Sequence, residues 1–133
     1  DAITLHCPLP ESTVLVEGDG SLLQEAIFSL LENACEAMPE GGWLTIRLQR
    51  EGDGFVTTYI SDSGAGVPDE VRERIFEPGF STRPAKGSQA RRGQGLFVGR
   101  AIVRRHGGEV SLYANGAQGA TFAFRLPLLN PDL

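Results

Sequence analysis

Long apolar runs are missing from this sequence, so no stretch of it can span a bilayer as a helix, and no signal-peptide pattern marks it for export. Cysteine is scarce. The two thiols, Cys7 on an expected strand and Cys35 inside an expected helix, match no metal-ligand spacing and cannot frame a disulfide scaffold. They read as reduced thiols in the core or half-buried, consistent with a cytoplasmic protein. Histidine is limited to His6 and His106, expected as an exposed strand residue and as part of a helix C-cap, neither with a partner that argues for catalysis. Positive charge is in deficit: 12 Lys and Arg against 17 Asp and Glu leave a net charge of -5, which argues against nucleic acid as a whole-surface partner. What basic charge there is clusters locally, at Arg83, Lys86, Arg91 and Arg92 and again at Arg100, Arg104 and Arg105, enough for one small polyphosphate. An initiator methionine is also missing and the chain opens on a strand-like pattern, so a fragment of something larger is expected.

What is present fits one domain over residues 1–133: the chain is 41% hydrophobic and long enough for a single core. Ile3 to Cys7 and Val14 to Val16 read as strands. Asp19 or Ser21 is placed to cap a helix whose apolar stripe runs through Leu23, Ala26, Ile27, Leu30, Leu31, Ala34, Ala37 and Met38, stopped by Pro39 and Gly41-Gly42. Trp43–Leu48 and Phe55–Ser61 alternate as strands and are joined through Glu51-Gly52-Asp53-Gly54 as a hairpin. Pro68 opens an expected short helix over Asp69 to Ile75. Glu77 to Arg92 has the composition of a long loop, and long loops in small domains are commonly lids. Leu96, Val98, Ala101, Ile102 and Val103 mark a further buried helix ended by Gly107-Gly108, and Glu109–Tyr113 with Thr121–Leu128 reads as a terminal hairpin turning at Asn115-Gly116.

The chemistry concentrates between Asp62 and Leu96. Asp62 ends an alternating strand just before Gly64 and Gly66, so its carboxylate can sit in a half-buried turn and receive an exocyclic amine; an Asx-type turn cap is the ordinary alternative. The basic loop runs into Gly93-Gln94-Gly95 and a helix N-terminus, where backbone amides and the helix dipole favour anions. Ser29, Asn33 and Glu36 share one helix face. An amide oxygen at Asn33 can ligate a hard cation that keeps most of its waters, or can simply bond a neighbouring loop.

The order of L-L-E-N-A-C-E-A-M, D-S-G-A-G, I-F-E-P-G-F-S-T-R and G-Q-G-L followed by I-V-R-R-H-G-G resembles the catalytic and ATP-binding domain of bacterial sensor histidine kinases, within the gyrase, heat-shock chaperone, histidine kinase and mismatch-repair ATPase superfamily. The first and third motifs are similar to the nitrogen-regulation and C4-dicarboxylate sensing branch. The resemblance implies the α+β Bergerat fold, a two-layer sandwich with a mixed sheet of about five strands backed by three helices and an ATP lid. It also implies that Asn33 holds Mg²⁺ against the phosphates of ATP as the catalytic metal ligand, and that Asp62 accepts the adenine amino group. Gly64 and Gly66 would give the base and ribose room, and Ala37, Val67 and Ile75 would wall the adenine. Phe76 and Phe80 would anchor the lid, with Arg83, Lys86 and Arg92 adding charge within it. Gly93, Gly95 and Leu96 would form the phosphate-side turn, and the Thr121 hydroxyl would assist adenine binding.

Some positions depart from the family pattern. Arg91 replaces the first glycine of the G-x-G-L-G-L run, Gln94 stands where an apolar residue is common, and Gly79 replaces an aromatic. Ser29 stands where hydrolytic members of the superfamily carry a Glu as general base, four residues before the Asn, so the resemblance implies phosphoryl transfer rather than hydrolysis. The expected partners are ATP and ADP, an upstream dimerisation domain carrying the phosphoacceptor histidine, and indirectly a response regulator, with no membrane contact by this monomeric fragment even if its parent is anchored. An anti-sigma-type serine kinase or a degenerate nucleotide-binding scaffold are the alternatives.

Overall fold

Alternation along the strands and a helical stripe along two longer segments leave one apolar face on each, and those faces cover one another in the computed structural model. It describes residues 2–8, 13–78, 95–116 and 118–129. The five strands β1 (Ile3–His6), β2 (Gly42–Arg50), β3 (Phe55–Asp62), β4 (Glu109–Gly116) and β5 (Gly119–Pro127) form one sheet in the order β1-β2-β3-β5-β4. β1 runs parallel to β2 and the other three pairings are antiparallel, so the sheet is mixed. Helices α1 (Gly20–Glu36) and α2 (Gly95–Arg105) pack on one face of it. Ala26, Leu30 and Ala34 of α1 and Ile102 and Val103 of α2 meet Leu44, Val56, Ile60, Val110, Phe124 and Leu126 of the sheet, all nearly removed from water.

Local chemistry sets the helix ends. Asp19 caps α1, its Oδ1 accepting from the Leu22 amide at 3.1 Å. α2 ends in a Schellman motif: Gly107 takes φ 84°, its amide donates to Arg104 O and the Gly108 amide to Val103 O, both at 3.0 Å. His106 sits at this cap and does more than end the helix. Its Nδ1 bonds Ile102 O at 2.8 Å and its Nε2 accepts from the Asp19 amide at 3.1 Å, tying the end of α2 to the start of α1.

Several expectations are corrected. Val14–Val16 alternates in burial but is not a strand; among the described residues its backbone bond is the one Leu129 N donates to Leu15 O at 2.8 Å, too little for a ladder. Residues 69–76 are successive turns rather than a helix, bonded Val71 N to Pro68 O, Arg74 N to Val71 O and Glu77 N to Arg74 O. A run this short does not offset helix nucleation. Two α-helices therefore back the sheet among the described residues, where three were expected. The terminal hairpin does not turn at Asn115-Gly116, because both residues are still in the ladder, paired with Ala120 and Gly119. Both cysteines are exposed: Cys7 lies past the end of β1, and Cys35 is one residue off the Ala26, Leu30, Ala34 stripe, about 100° round the helix.

Candidate functional site

β3 delivers Asp62 to the end of the sheet nearest the last turn of α1 and the tip of the β4–β5 hairpin. The residue is only 8% exposed. Its Oδ1 accepts from the Gly64 amide at 2.9 Å and from the Ala120 amide at 3.3 Å, while Oδ2 has no donor among the described residues. Burial pushes the Asp62 pKa up, and the two amide bonds pull partly against that. The Asx-type turn and the free acceptor therefore coexist: one oxygen organises the turn and the other remains to receive a donor.

Close backbone contact explains the two glycines. A side chain at Gly64 would overlap the Ala37 carbonyl at the C-cap of α1. One at Gly66, which takes φ 80°, would overlap the Gly116 carbonyl across the hairpin tip. Ala37 is half-buried beside Gly64. Beyond the turn, Val67, Ile75, Phe76 and Leu96 gather with Val71, Leu112, Ala120 and Phe122 into a second apolar cluster, joined to the main core through Phe76 and Leu96. Phe76 meets Phe122 edge to face with centroids 6.3 Å apart. This cluster brings two of the expected adenine-wall residues (Val67 and Ile75) and the expected lid anchor Phe76 together with the start of α2.

On the other side, Asn33 lies in a narrow cleft with Ser29, Glu32 and Glu36 of α1 and Gly95 and Leu96 at the N-terminus of α2. The Asn33 side chain makes no hydrogen bond to another described residue, so the loop-bonding alternative for it is not realised there. Its amide oxygen, with the carboxylates of Glu32 and Glu36 lining the same cleft, is a donor set suited to a hard, hydrated cation. No ready-made group of three or more His, Cys, Asp and Glu ligands exists among the described residues.

Thr121 is not brought to this site. Along β5, Ala120, Phe122 and Phe124 face the helices, whereas the Thr121 hydroxyl points to the opposite face of the sheet and meets Ser61 Oγ at 2.8 Å. The residue that touches Asp62 is its neighbour Ala120, through a backbone amide. Phe80, Arg83, Lys86, Arg92 and Gly93, with the departures at Gly79, Arg91 and Gln94, lie outside the described residues.

Two contributors escaped the sequence. Asn115, read there as a turn residue, places its side-chain amide against the Val67 backbone: Oδ1 accepts from Val67 N and Nδ2 donates to Val67 O, each at 2.8 Å. Arg100 sets its guanidinium 4.5 Å from the Phe76 ring centroid and donates from Nε to Glu109 at 3.1 Å, and Arg104 holds the same carboxylate through two nitrogens. Those contacts, the Arg104 bond first, lower the Glu109 pKa to about 2.

Residues 18–130 match the family described as histidine kinase-, DNA gyrase B- and HSP90-like ATPases. Among curated proteins, the adaptive-response sensory kinase SasA of Synechococcus sp. strain CC9311 is 32% identical over 126 residues, 95% of this chain and 33% of its own length. The two-component sensor PprA of Pseudomonas aeruginosa is 37% identical, over 98% of this chain and 14% of its own. This chain thus spans about a third or less of these relatives. Among solved structures, the mycobacterial sensor histidine kinase MprB superposes with a TM-score of 0.77 at 31% identity, covering 95% of this chain and 82% of that one. Full-length ShkA in complex with AMPPNP gives 0.79 at 25% identity, over 95% of this chain and 26% of that one.

Proposed function

The chain belongs to the histidine kinase-, DNA gyrase B- and HSP90-like ATPases, and from that premise we propose that it is the ATP-binding kinase domain of a two-component sensor. In this reading it holds Mg-ATP and presents the γ-phosphate to a histidine on a dimerisation helix elsewhere in the parent protein. The observation that carries it is the free Oδ2 of buried Asp62, whose other oxygen is bonded to Ala120 of the Val67, Ile75 and Phe76 cluster, a cluster that Leu96 in the first turn of α2 also packs against. An acceptor beside an apolar wall suits a purine with an amino group, and a helix N-terminus suits its phosphates. ShkA, solved with AMPPNP, has the same fold.

Asp62 would select the adenine amino group, and Val67 and Ile75 would cover its ring. Gly95 and Leu96 would bring backbone amides to the phosphates. Asn33 would hold Mg²⁺ through its amide oxygen, with Glu32 and Glu36 favouring the cation electrostatically; the metal supplies charge neutralisation at the transferring phosphoryl group. Ser29 lines the cleft where a general base would stand in a hydrolytic relative, so positioning and electrostatics are this chain's contribution, and the nucleophile is brought by another domain. Phe80 and the cations Arg83, Lys86 and Arg92, with Gly93, would complete the phosphate side.

The finer placement in a nitrogen-regulation or C4-dicarboxylate branch is supported by the motifs at 30–38 and 75–83 alone. The response regulator, the cytoplasmic location and the phosphoacceptor domain belong to the same proposal. Incubated with γ-³²P-labelled ATP, the 133-residue chain alone should remain unlabelled, and a dimerisation fragment carrying an acceptor histidine should gain label only when the chain is added. Efficient self-labelling, or no ADP binding by calorimetry, contradicts the reading.

A further inference from the structure

The loop from Asp62 to Val67 is held at both ends by the tip of the β4–β5 hairpin. At its start, Ala120 N donates to Asp62 Oδ1 at 3.3 Å, and a side chain at Gly119 would overlap the Asp62 carbonyl. At its end, the Asn115 amide reads both polar groups of Val67, accepting from N and donating to O at 2.8 Å each, and Gly66 lies against the Gly116 carbonyl. Asn115 and Ala120 face one another in the hairpin register. The side chain thus mimics a strand partner for an irregular loop, because an amide carries its acceptor and its donor on one group, as a backbone pair does.

Resting on the adenine site proposed above, we infer that Asn115 is a positioning residue for nucleotide selection. It touches no ligand. It fixes the Val67 peptide, and with it the distance between the apolar wall and the free Asp62 oxygen. Removing the clamp lets Val67 drift from the cluster it forms with Ile75, Ala120 and Phe122 while Asp62 stays anchored to Gly64 and Ala120. The ring would then be held less squarely against its acceptor, and discrimination would suffer more than folding.

The experiment compares adenosine diphosphate with inosine diphosphate, which carries a carbonyl oxygen where adenine has its amino group, by calorimetric titration of the 133-residue chain. Wild type should prefer the adenine nucleotide by at least about tenfold, because the Asp62 oxygen meets a donor in one and an acceptor in the other. Asn115→Ala should bind adenosine diphosphate about tenfold more weakly and narrow the preference severalfold at a temperature where melting shows it folded. Asn115→Asp keeps the acceptor for Val67 N but sets an oxygen against Val67 O, and should narrow the preference as well; it serves as the reporter if Asn115→Ala does not fold. A wild type that discriminates, with folded variants of lower melting temperature that keep the same preference, overturns the role of Asn115 alone. A wild type that binds both nucleotides equally, or neither, overturns the adenine site and this inference together.

Discussion

Asp62→Asn separates a binding role from a structural one, because the two should move in opposite directions. The wild-type residue is 8% exposed and its Oδ1 takes two backbone amides. Asparagine can keep both bonds through its own Oδ1. What changes is the second position, where an acceptor oxygen becomes an NH₂ donor facing the donor amine of adenine. Losing a hydrogen bond to a charged group costs about 1.5 to 3 kcal/mol, so ADP affinity should fall roughly tenfold to a hundredfold. Stability should not fall with it. Burial raises the Asp62 pKa, so its folding benefit is complete below the unfolded pKa and is lost as pH rises through the folded one; at pH 7 the ionised group is a liability that asparagine removes. Calorimetric titration with ADP and thermal melting on the same samples measure both quantities. Wild-type affinity should also weaken as pH falls through the raised Asp62 pKa, while the variant stays flat. Unchanged affinity, or a melting temperature that drops in parallel with affinity, refutes the reasoning.

Two further substitutions test the frame. Gly66→Ala puts a side chain at φ 80° and into the Gly116 carbonyl, so it should cost about 2 kcal/mol or more of stability and weaken ADP binding as well. Gly107→Ala, at φ 84° but with only Pro127 Cγ at 3.3 Å, should cost about 1 kcal/mol and leave ADP binding alone; denaturant melts and titrations on both variants check the contrast. Glu109→Gln removes a carboxylate whose pKa is lowered to about 2, first by its Arg104 bond. That contribution is present above the unfolded value near 4.5 and is lost as pH falls towards 2, so the variant should be less stable at neutral pH and lose less between those limits. The side chain is 44% exposed, so added salt should shrink the difference, and melting curves across pH and salt measure it.

The strands and both helices were legible because each is a local pattern with a local stop. The α1 stripe ends at Pro39, Gly41 and Gly42, the Schellman glycine ends α2, and Asp53 and Gly54 close the β2–β3 hairpin. Elements whose shape depends on distant partners were misread. Val14–Val16 has strand composition but among the described residues finds only Leu129 to bond, and the 69–76 run is shaped by packing Val71 and Ile75 into the second cluster rather than by helical propensity. The same division explains Asn115: its identity beside Gly116 is a turn signal, and its actual contact lies 48 residues away.

Motif order is enough to single out Asp62, Gly64, Gly66, Val67, Ile75 and Asn33, whose ligand roles remain part of the proposal, but a motif does not carry the strand parity that decides where Thr121 points. Asp62 and Ser61 point to opposite faces of β3, and the β3–β5 register pairs Thr121 with Ser61, so a hydroxyl at 121 belongs to the helix-free face. The register thus decides that the helix-side position next to Asp62 is Ala120, which can offer its backbone amide but no hydroxyl. In the proposed site, polar recognition of the base by the described residues would then fall on the free oxygen of Asp62. The geometry that aims that oxygen, the Gly64 and Ala120 amides and the Asn115 clamp on Val67, would carry the selectivity that a second side-chain contact would otherwise share.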